Sequence, residues 1–209
     1  MRTFSLLLIL LLATPVWAGS LESDLARIQQ RWAEIQYQVP GDDKADAFEA
    51  LAKEAEGFMA DYPDRAEPRI WRAIVLSTWA GEKGGLGALR LVKDARSQLE
   101  EALEIDDSAL EGSAYTSLGS LYYQVPGWPL AFGDDDKARR YLQKALSLNP
   151  DGIDPNFFFG DYLLEQGEKA RARQYLERAL AAPARVGREL ADQGRREEIR
   201  ERLARLSKS

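Results

Sequence analysis

Neither cysteine nor histidine occurs among the 209 residues of this chain. Without cysteine there is no disulfide, no thiol nucleophile and no lipobox residue to acylate. Without histidine the Ser-His-Asp arrangement is lost too, and the two absences together remove the usual transition-metal sites. A long apolar run is also missing. The one hydrophobic stretch, Phe4 to Ala13, is well short of the ~20 residues that span a bilayer. It follows Met1-Arg2 and precedes Thr14-Pro15-Val16-Trp17-Ala18, with Val16 and Ala18 at the −3 and −1 positions. This is the pattern of a secretory signal peptide (1–18) cut before Gly19. The expectation is an exported, soluble periplasmic protein that is not a lipoprotein; an uncleaved anchor is the alternative.

Excess positive charge is lacking as well, the net charge being −6. An acidic body argues against nucleic acid or an anionic membrane as the main partner. Only residues 185–209 are basic, with eight Lys or Arg against five Asp or Glu. Glu197, Glu198 and Glu201 are interleaved with Arg195, Arg196, Arg200, Arg202 and Arg205. That spacing suits ion pairs along a helix, so the tail is expected to be a solvated helix face rather than a binding patch.

What the chain does have is repetition. Lys137 to Leu146 reads Lys-Ala-Arg-Arg-Tyr-Leu-Gln-Lys-Ala-Leu, and Arg171 to Leu180 reads Arg-Ala-Arg-Gln-Tyr-Leu-Glu-Arg-Ala-Leu, thirty-four residues on. Asp94 to Leu103 keeps Ala95, Arg96, Leu99, Ala102 and Leu103. Self-similarity at this period marks a tetratricopeptide array, in which each repeat is two antiparallel helices that bury their apolar faces only by stacking. Tyr115, Leu118, Gly119 and Tyr122 followed by Ala138, Leu142, Ala145 and Pro150 form the best repeat. Gly119 and Ala138 are small so that the two helices can approach closely. Phe159, Gly160 and Leu163 with Ala172, Leu176, Ala179 and Pro183 form the last. Trp71, Ile74 and Val75 with Ala95, Leu99 and Ala102 form a worn earlier copy. Leu25, Ile28, Trp32 and Ile35, then Ala45 to Met59, make a degenerate N-terminal hairpin, and Val186 to Leu206 a terminal helix with Ile199, Leu203 and Leu206 on one face. The expected fold is all-α, a tetratricopeptide-type solenoid of about four hairpins with a C-terminal capping helix. The expected segments are 19–67 for the N-terminal hairpin, 68–184 for the repeats and 185–209 for the cap. A second echo links the hairpin turns: Tyr37-Gln-Val-Pro-Gly41 recurs as Tyr123-Gln-Val-Pro-Gly127, and each copy then reaches Asp-Asp-Lys-Ala, at Asp42 to Ala45 and, after the insert Trp128 to Asp134, at Asp135 to Ala138.

Two joins look long for such repeats, one around Gly81 to Gly87 and the other from Val125 to Asp136. The second carries Trp128, Leu130 and Phe132 between prolines and glycines, directly after Tyr122 and Tyr123. Aromatic groups on a stiff segment can wall a ligand site, and Tyr122, Tyr123, Trp128, Phe132 and Trp79 are the candidate binding residues. The alternative is that Trp128 and Phe132 fold back and plug the stack. Trp79 could face the core or a groove, whereas Trp32 and Trp71 fall at core positions. Asp134-Asp135-Asp136 lacks the spacing of an EF-hand loop and suits a helix N-terminus instead, as does Asp42-Asp43.

The segment Tyr122 to Leu148, with its Pro-Gly-Trp-Pro insert, Gly-Asp, and Lys-Ala-x-x-Tyr-Leu-x-x-Ala-Leu-x-Leu-x-Pro, resembles the T-component proteins of periplasmic TRAP-type transport. More distantly it is similar to the regulator-of-microtubule-dynamics group. The resemblance covers roughly residues 66–182. It implies a periplasmic helical protein that docks a solute-binding partner and assembles into a small ring of its own copies. The expected function is thus a non-enzymatic adaptor without cofactor or metal, binding another periplasmic or envelope protein or a small apolar ligand. A structural scaffold in envelope assembly is the second reading. A carboxylate-based glycan hydrolase is the third, since paired carboxylates need neither His nor Cys, with Glu82 or Asp161 as candidate acids.

Overall fold

The computed structural model describes residues 20–207, so the signal-peptide segment 1–18 lies outside the described residues. Nine helices and no strand occur among them: α1 (Leu21–Gln38), α2 (Gly41–Asp61), α3 (Ala66–Lys83), α4 (Gly85–Ile105), α5 (Ala109–Gln124), α6 (Asp135–Leu148), α7 (Ile153–Glu165), α8 (Lys169–Leu180) and α9 (Glu189–Leu206). The first eight pair as four antiparallel hairpins and each hairpin packs on the next. The fold is a tetratricopeptide-type helical solenoid. None of these helices is long and apolar enough to cross a membrane.

The repeat is visible as one recurring contact. A Cβ built on Gly119 of α5 would lie 2.5 Å from Leu142 Cγ of α6, and one on Gly160 of α7 would lie 2.9 Å from Leu176 Cγ of α8. Leu142 and Leu176 are fully buried, as are Ala138 and Ala172 one turn before them. A missing side chain on one helix is therefore the space its partner's leucine fills, which holds the two axes close. One contiguous core then runs from Ile28 in α1 to Ala191 in α9. A smaller cluster of Ile153, Phe157, Leu176, Ala179, Ala182 and Ile199 seats α9 on α7 and α8, with Leu203 and Leu206 against it.

One of the two long joins differs from its sequence reading. The glycine-rich stretch around Gly81 to Gly87 is not a long connection, because α3 continues to Lys83 and α4 begins at Gly85. Gly84 and Gly85, at φ +60° and +63°, make the reversal in a single step, a conformation that costs glycine little. The connection from Val125 to Asp134 is a real loop. The other irregularity is at the start of α5, where Leu110, Glu111 and Gly112 take left-handed angles (φ 49°, 56° and 78°) before regular helix resumes. Glu111 is held there by the side-chain amide of Asn149, which donates to its carboxylate at 2.7 Å.

The acidic runs divide. Asp134 caps α6, its carboxylate accepting from the Lys137 amide at 2.9 Å, whereas α2 has Pro40 at its cap and only places Asp42 and Asp43 in its first turn. Both arrangements set negative charge at the positive end of a helix.

Candidate functional site: the chamber enclosed by the terminal helix

The odd-numbered helices line the inner face of the solenoid, and α9 crosses back to reach α1. Between them lies a chamber of about 760 Å³. Its wall is built at helical spacing. α1 supplies Gln29, Trp32 and Gln36; α3 supplies Trp71, Ile74 and Thr78; α5 supplies Ser113, Thr116, Ser117, Ser120 and Gln124; α7 supplies Asp154, Phe157 and Phe158. The basic wall comes from the α8–α9 connection and α9 itself, with Arg185, Arg188, Arg195 and Arg202.

Aromatic rings make a continuous shelf. Trp32 meets Trp71 edge-on at 6.1 Å and Tyr37 at 6.0 Å. The Trp32 indole N–H donates to Thr78 Oγ1 at 3.0 Å, which fixes the ring. Trp32 and Trp71 are core residues as their spacing predicts, at 8% and 5% exposure, and each also presents an edge to the chamber.

Charge locks the closure. Asp154 accepts from Arg195 Nε at 3.0 Å and from Arg185 Nη1 at 2.7 Å. Arg195 also pairs with Glu198 at 2.6 Å, and Glu198 accepts from the Tyr37 hydroxyl at 3.0 Å, bridging α9 to α1. Asp192, almost fully buried, takes the Arg185 backbone N–H at 2.9 Å and its guanidinium at 2.6 Å. Burial pushes the Asp154 carboxyl up, but Arg195 and Arg185 outweigh it and hold the group down at about 2. Burial also pushes the Tyr37 hydroxyl up, with the neighbouring Glu198 carboxylate adding to it against Arg195. Gly194 lets α9 lie flat here, since a Cβ on it would fall 2.4 Å from the Tyr37 ring.

The basic tail is therefore only half solvated. Arg200 with Glu197 and Arg205 with Glu201 pair along the outer face as expected. Arg195 and Arg202 instead turn inward, 4.3 Å and 4.6 Å over the Phe157 ring. The tail reads as solvated because its glutamates satisfy a one-helix pattern. The opposing Asp154 and Asp161 come from α7, some forty residues away, where no local spacing can announce them.

The five candidate binding residues lie elsewhere, and none lines the chamber. Tyr122 is buried, stacked on Tyr141 at 5.5 Å and edge-on to Phe132 at 5.5 Å. Tyr123 is buried on the opposite side of α5, donating to Asp161 at 2.9 Å. Burial and then the Asp161 carboxylate push its hydroxyl well up. Phe132 is half-buried, with the Arg96 guanidinium 4.5 Å over its ring. Trp79 is half-buried against the core, with Lys83 at 5.1 Å from its ring. Trp128 stands apart at 90% exposure, and Leu130 beside it is 69% exposed. The structure thus brings Tyr122 and Phe132 together as packing and leaves Trp128 outside; Trp128 does not fold back onto the stack.

The loop holding Trp128 is well tied. Gly133 N–H donates to Pro126 at 2.9 Å, Leu130 N–H to Gly127 at 3.1 Å and Asp134 N–H to Tyr122 at 2.8 Å. The Trp128–Pro129 peptide is cis. Of the two candidate acids, Asp161 is paired with Arg202 and Tyr123. Glu82 sits at the chamber's exposed edge, 4.0 Å from Lys44. Among the described residues no group of three or more acidic side chains is placed to hold a metal ion.

Comparison with known proteins agrees with this architecture. Residues 130–188 match the tetratricopeptide repeat family. Among solved structures, a thermophilic TPR protein of Thermus thermophilus is similar in fold, with a TM-score of 0.56 at 15% identity, covering 86% of this chain and 98% of that one. No curated protein matches. The matched segment is thus similar to tetratricopeptide repeats, and the solved structure shows the same fold over most of the chain; such repeats commonly mediate contacts between proteins.

The chamber did leave a trace in the sequence. Ser113, Thr116, Ser117, Ser120 and Gln124 form a hydroxyl and amide stripe at three- and four-residue spacing on an otherwise apolar helix. Such hydroxyls can be satisfied by carbonyls of the preceding turn, as Ser113 is by Leu110 at 2.8 Å, or by water or a ligand on the face that they line.

Proposed function

We propose that this protein is a non-enzymatic adaptor, exported to the periplasm, that docks a second envelope protein through the loop carrying Trp128. The observation that carries this reading is the exposed pair Trp128 and Leu130 on a loop closed by its own backbone hydrogen bonds. An exposed tryptophan on a rigid support is an effective anchor, because it adds a large apolar contact at little cost in lost flexibility. Phe132 and Tyr122 hold the base of the loop, so the tip moves with the solenoid and not independently of it.

The resemblance to T-component proteins of TRAP-type transport supports a solute-binding protein as the partner. The acidic body suits an uncharged or basic docking face, not nucleic acid. The test is capture from periplasmic extract by the mature chain, beside a W128A/L130A variant. A solute-binding protein retained by wild type and lost by the variant is the expected result. Equal retention by both overturns the loop as the docking element. Capture only of wall or outer-membrane assembly proteins favours the scaffold reading instead.

A further inference from the structure

The chamber holds one cation that no carboxylate among the described residues neutralises. Its four arginines are not alike: Arg185, Arg195 and Arg202 each contact a carboxylate, whereas Arg188 makes no ion pair among the described residues and its Nε is buried without a hydrogen-bond partner. Arg188 instead lies over Trp71, its guanidinium 4.9 Å from the ring centre. Burial, and then the charge of Arg185, pulls Arg188 down to about 10, against the weaker attraction of Asp154 and Asp192. A guanidinium without a counter-ion in a partly dehydrated site is costly. The chamber's remaining acids, Glu82, Glu111 and Asp151, are exposed at its rim, and Glu111 is already bonded to Asn149.

A second polar atom is unmatched in the same space. Gln36 lines the chamber from α1, and its Oε1 is buried without a donor. The wall between these two groups is the Trp71–Trp32 shelf. The site therefore asks for three things at once: an anion, a hydrogen-bond donor, and an apolar or aromatic body. A volume of about 760 Å³ lies within the range of small-molecule sites.

We infer that the chamber binds a small organic carboxylate, with its anionic end on Arg188 and its apolar body along Trp71 and Trp32. A donor group on the same molecule satisfies Gln36. The carboxylate forms a planar, paired contact with the guanidinium, which a point charge such as lysine reproduces poorly. The ligand would be held wholly by α1, α3 and the α8–α9 connection. Binding would therefore tie the terminal helix to the first hairpin, independently of whatever docks on the Trp128 loop.

The mature chain is titrated by calorimetry with phenylacetate, 3-phenylpropionate and indole-3-acetate, each beside its neutral amide. The expected result is that at least one acid binds and its amide binds about tenfold more weakly or worse, the loss of one charge-assisted contact. R188M should remove that preference, while R200M, on the outer face of α9, should keep it. Without ligand, R188M should melt at or above the wild-type temperature, because it relieves an unpaired cation; a purely structural arginine would lower it. Three results overturn the inference: no acid preferred over its amide, a preference that survives R188M, or a ligand-free R188M that melts well below wild type. A free-carboxyl tetrapeptide that binds more tightly than every acid also overturns it, in favour of a peptide terminus. Partner capture through Trp128 should be unaffected by R188M, so the two sites fail separately.

Discussion

The seams inside the last two repeats and the seam that closes the chamber are held by different physics, whereas the earlier hairpins add ion pairs such as Arg72–Asp94 across their own seams. Between α5 and α6, and again between α7 and α8, a glycine faces a buried leucine at the centre of the seam, and the polar contacts across α5 and α6, such as Asn149 to Glu111, lie at its ends. Between α9 and its neighbours α1 and α7, an apolar seat around Ile199 is joined by a chain of charges from Asp192 through Arg185, Asp154, Arg195 and Glu198 to Tyr37. The first kind of seam depends on shape and tolerates acid or salt. The second depends on ionisation, and each member is needed to offset the desolvation of the next. A closure that leans on ionisation where the last repeats lean on shape is expected to open at its terminal helix before those repeats are lost.

Removing the hub of the closure should have the largest effect. D154N leaves Arg195 and Arg185 short of a partner, and the expected loss is about 3 kcal/mol in denaturant unfolding, as for breaking a buried pair. If the closure and the repeats form one cooperative unit, the midpoint falls as a single transition. A separate early transition of α9 would sharpen the contrast.

Acid should act on the same seam. The Asp154 carboxyl is held below its unfolded value of 3.8, at about 2. The stabilisation is thus complete above about pH 4 and is lost as the pH falls through about 2, amounting to something on the order of 2 kcal/mol. Comparing wild type with D154N across that window isolates it, because the variant should lack this part of the pH dependence.

Two glycine variants test the seams side by side. G119A places a methyl 2.5 Å from Leu142 Cγ, and G194A places one 2.4 Å from the Tyr37 ring. Overpacking costs about 1–3 kcal/mol, less the roughly 1 kcal/mol that alanine gains in a helix. G119A should lower protection from hydrogen exchange in α5 and α6, while G194A should lower it in α9 and around Tyr37. Loss of protection throughout the chain in both variants would break the distinction.

The smallest effect on stability is expected at the loop tip. W128A should change unfolding by less than about 0.5 kcal/mol, as surface substitutions do, whereas F132A should cost more because Phe132 packs on Tyr122 and under Arg96. Thermal melts of the two variants check this ordering.

Much of the fold was legible from spacing alone. The thirty-four-residue echo, the small residues at 119, 138, 160 and 172 and the prolines at 150 and 183 mark hairpins because helix packing within a repeat is local in sequence. The long reading of the Gly81 to Gly87 join failed because two glycines at positive φ reverse the chain in one step, leaving the rest free to stay helical. Aromatic content selects Tyr122, Tyr123, Phe132 and Trp79 together with Trp128, and of the five only Trp128 stands exposed. Aromatic groups in a repeat protein mostly fill the spaces between helices, and the other four do so in this chain.

The sequence by itself determined the helical period, the order of hairpins, the close approach at Gly119 and the absence of cysteine and histidine side chains. Tertiary structure decided where the inner face closes, which arginines turn inward and which one is left without a counter-ion. The reason is distance along the chain. Tyr37, Trp71, Asp154, Arg188 and Arg195 come from four separate segments, and only the curvature of the stacked hairpins brings them around one space.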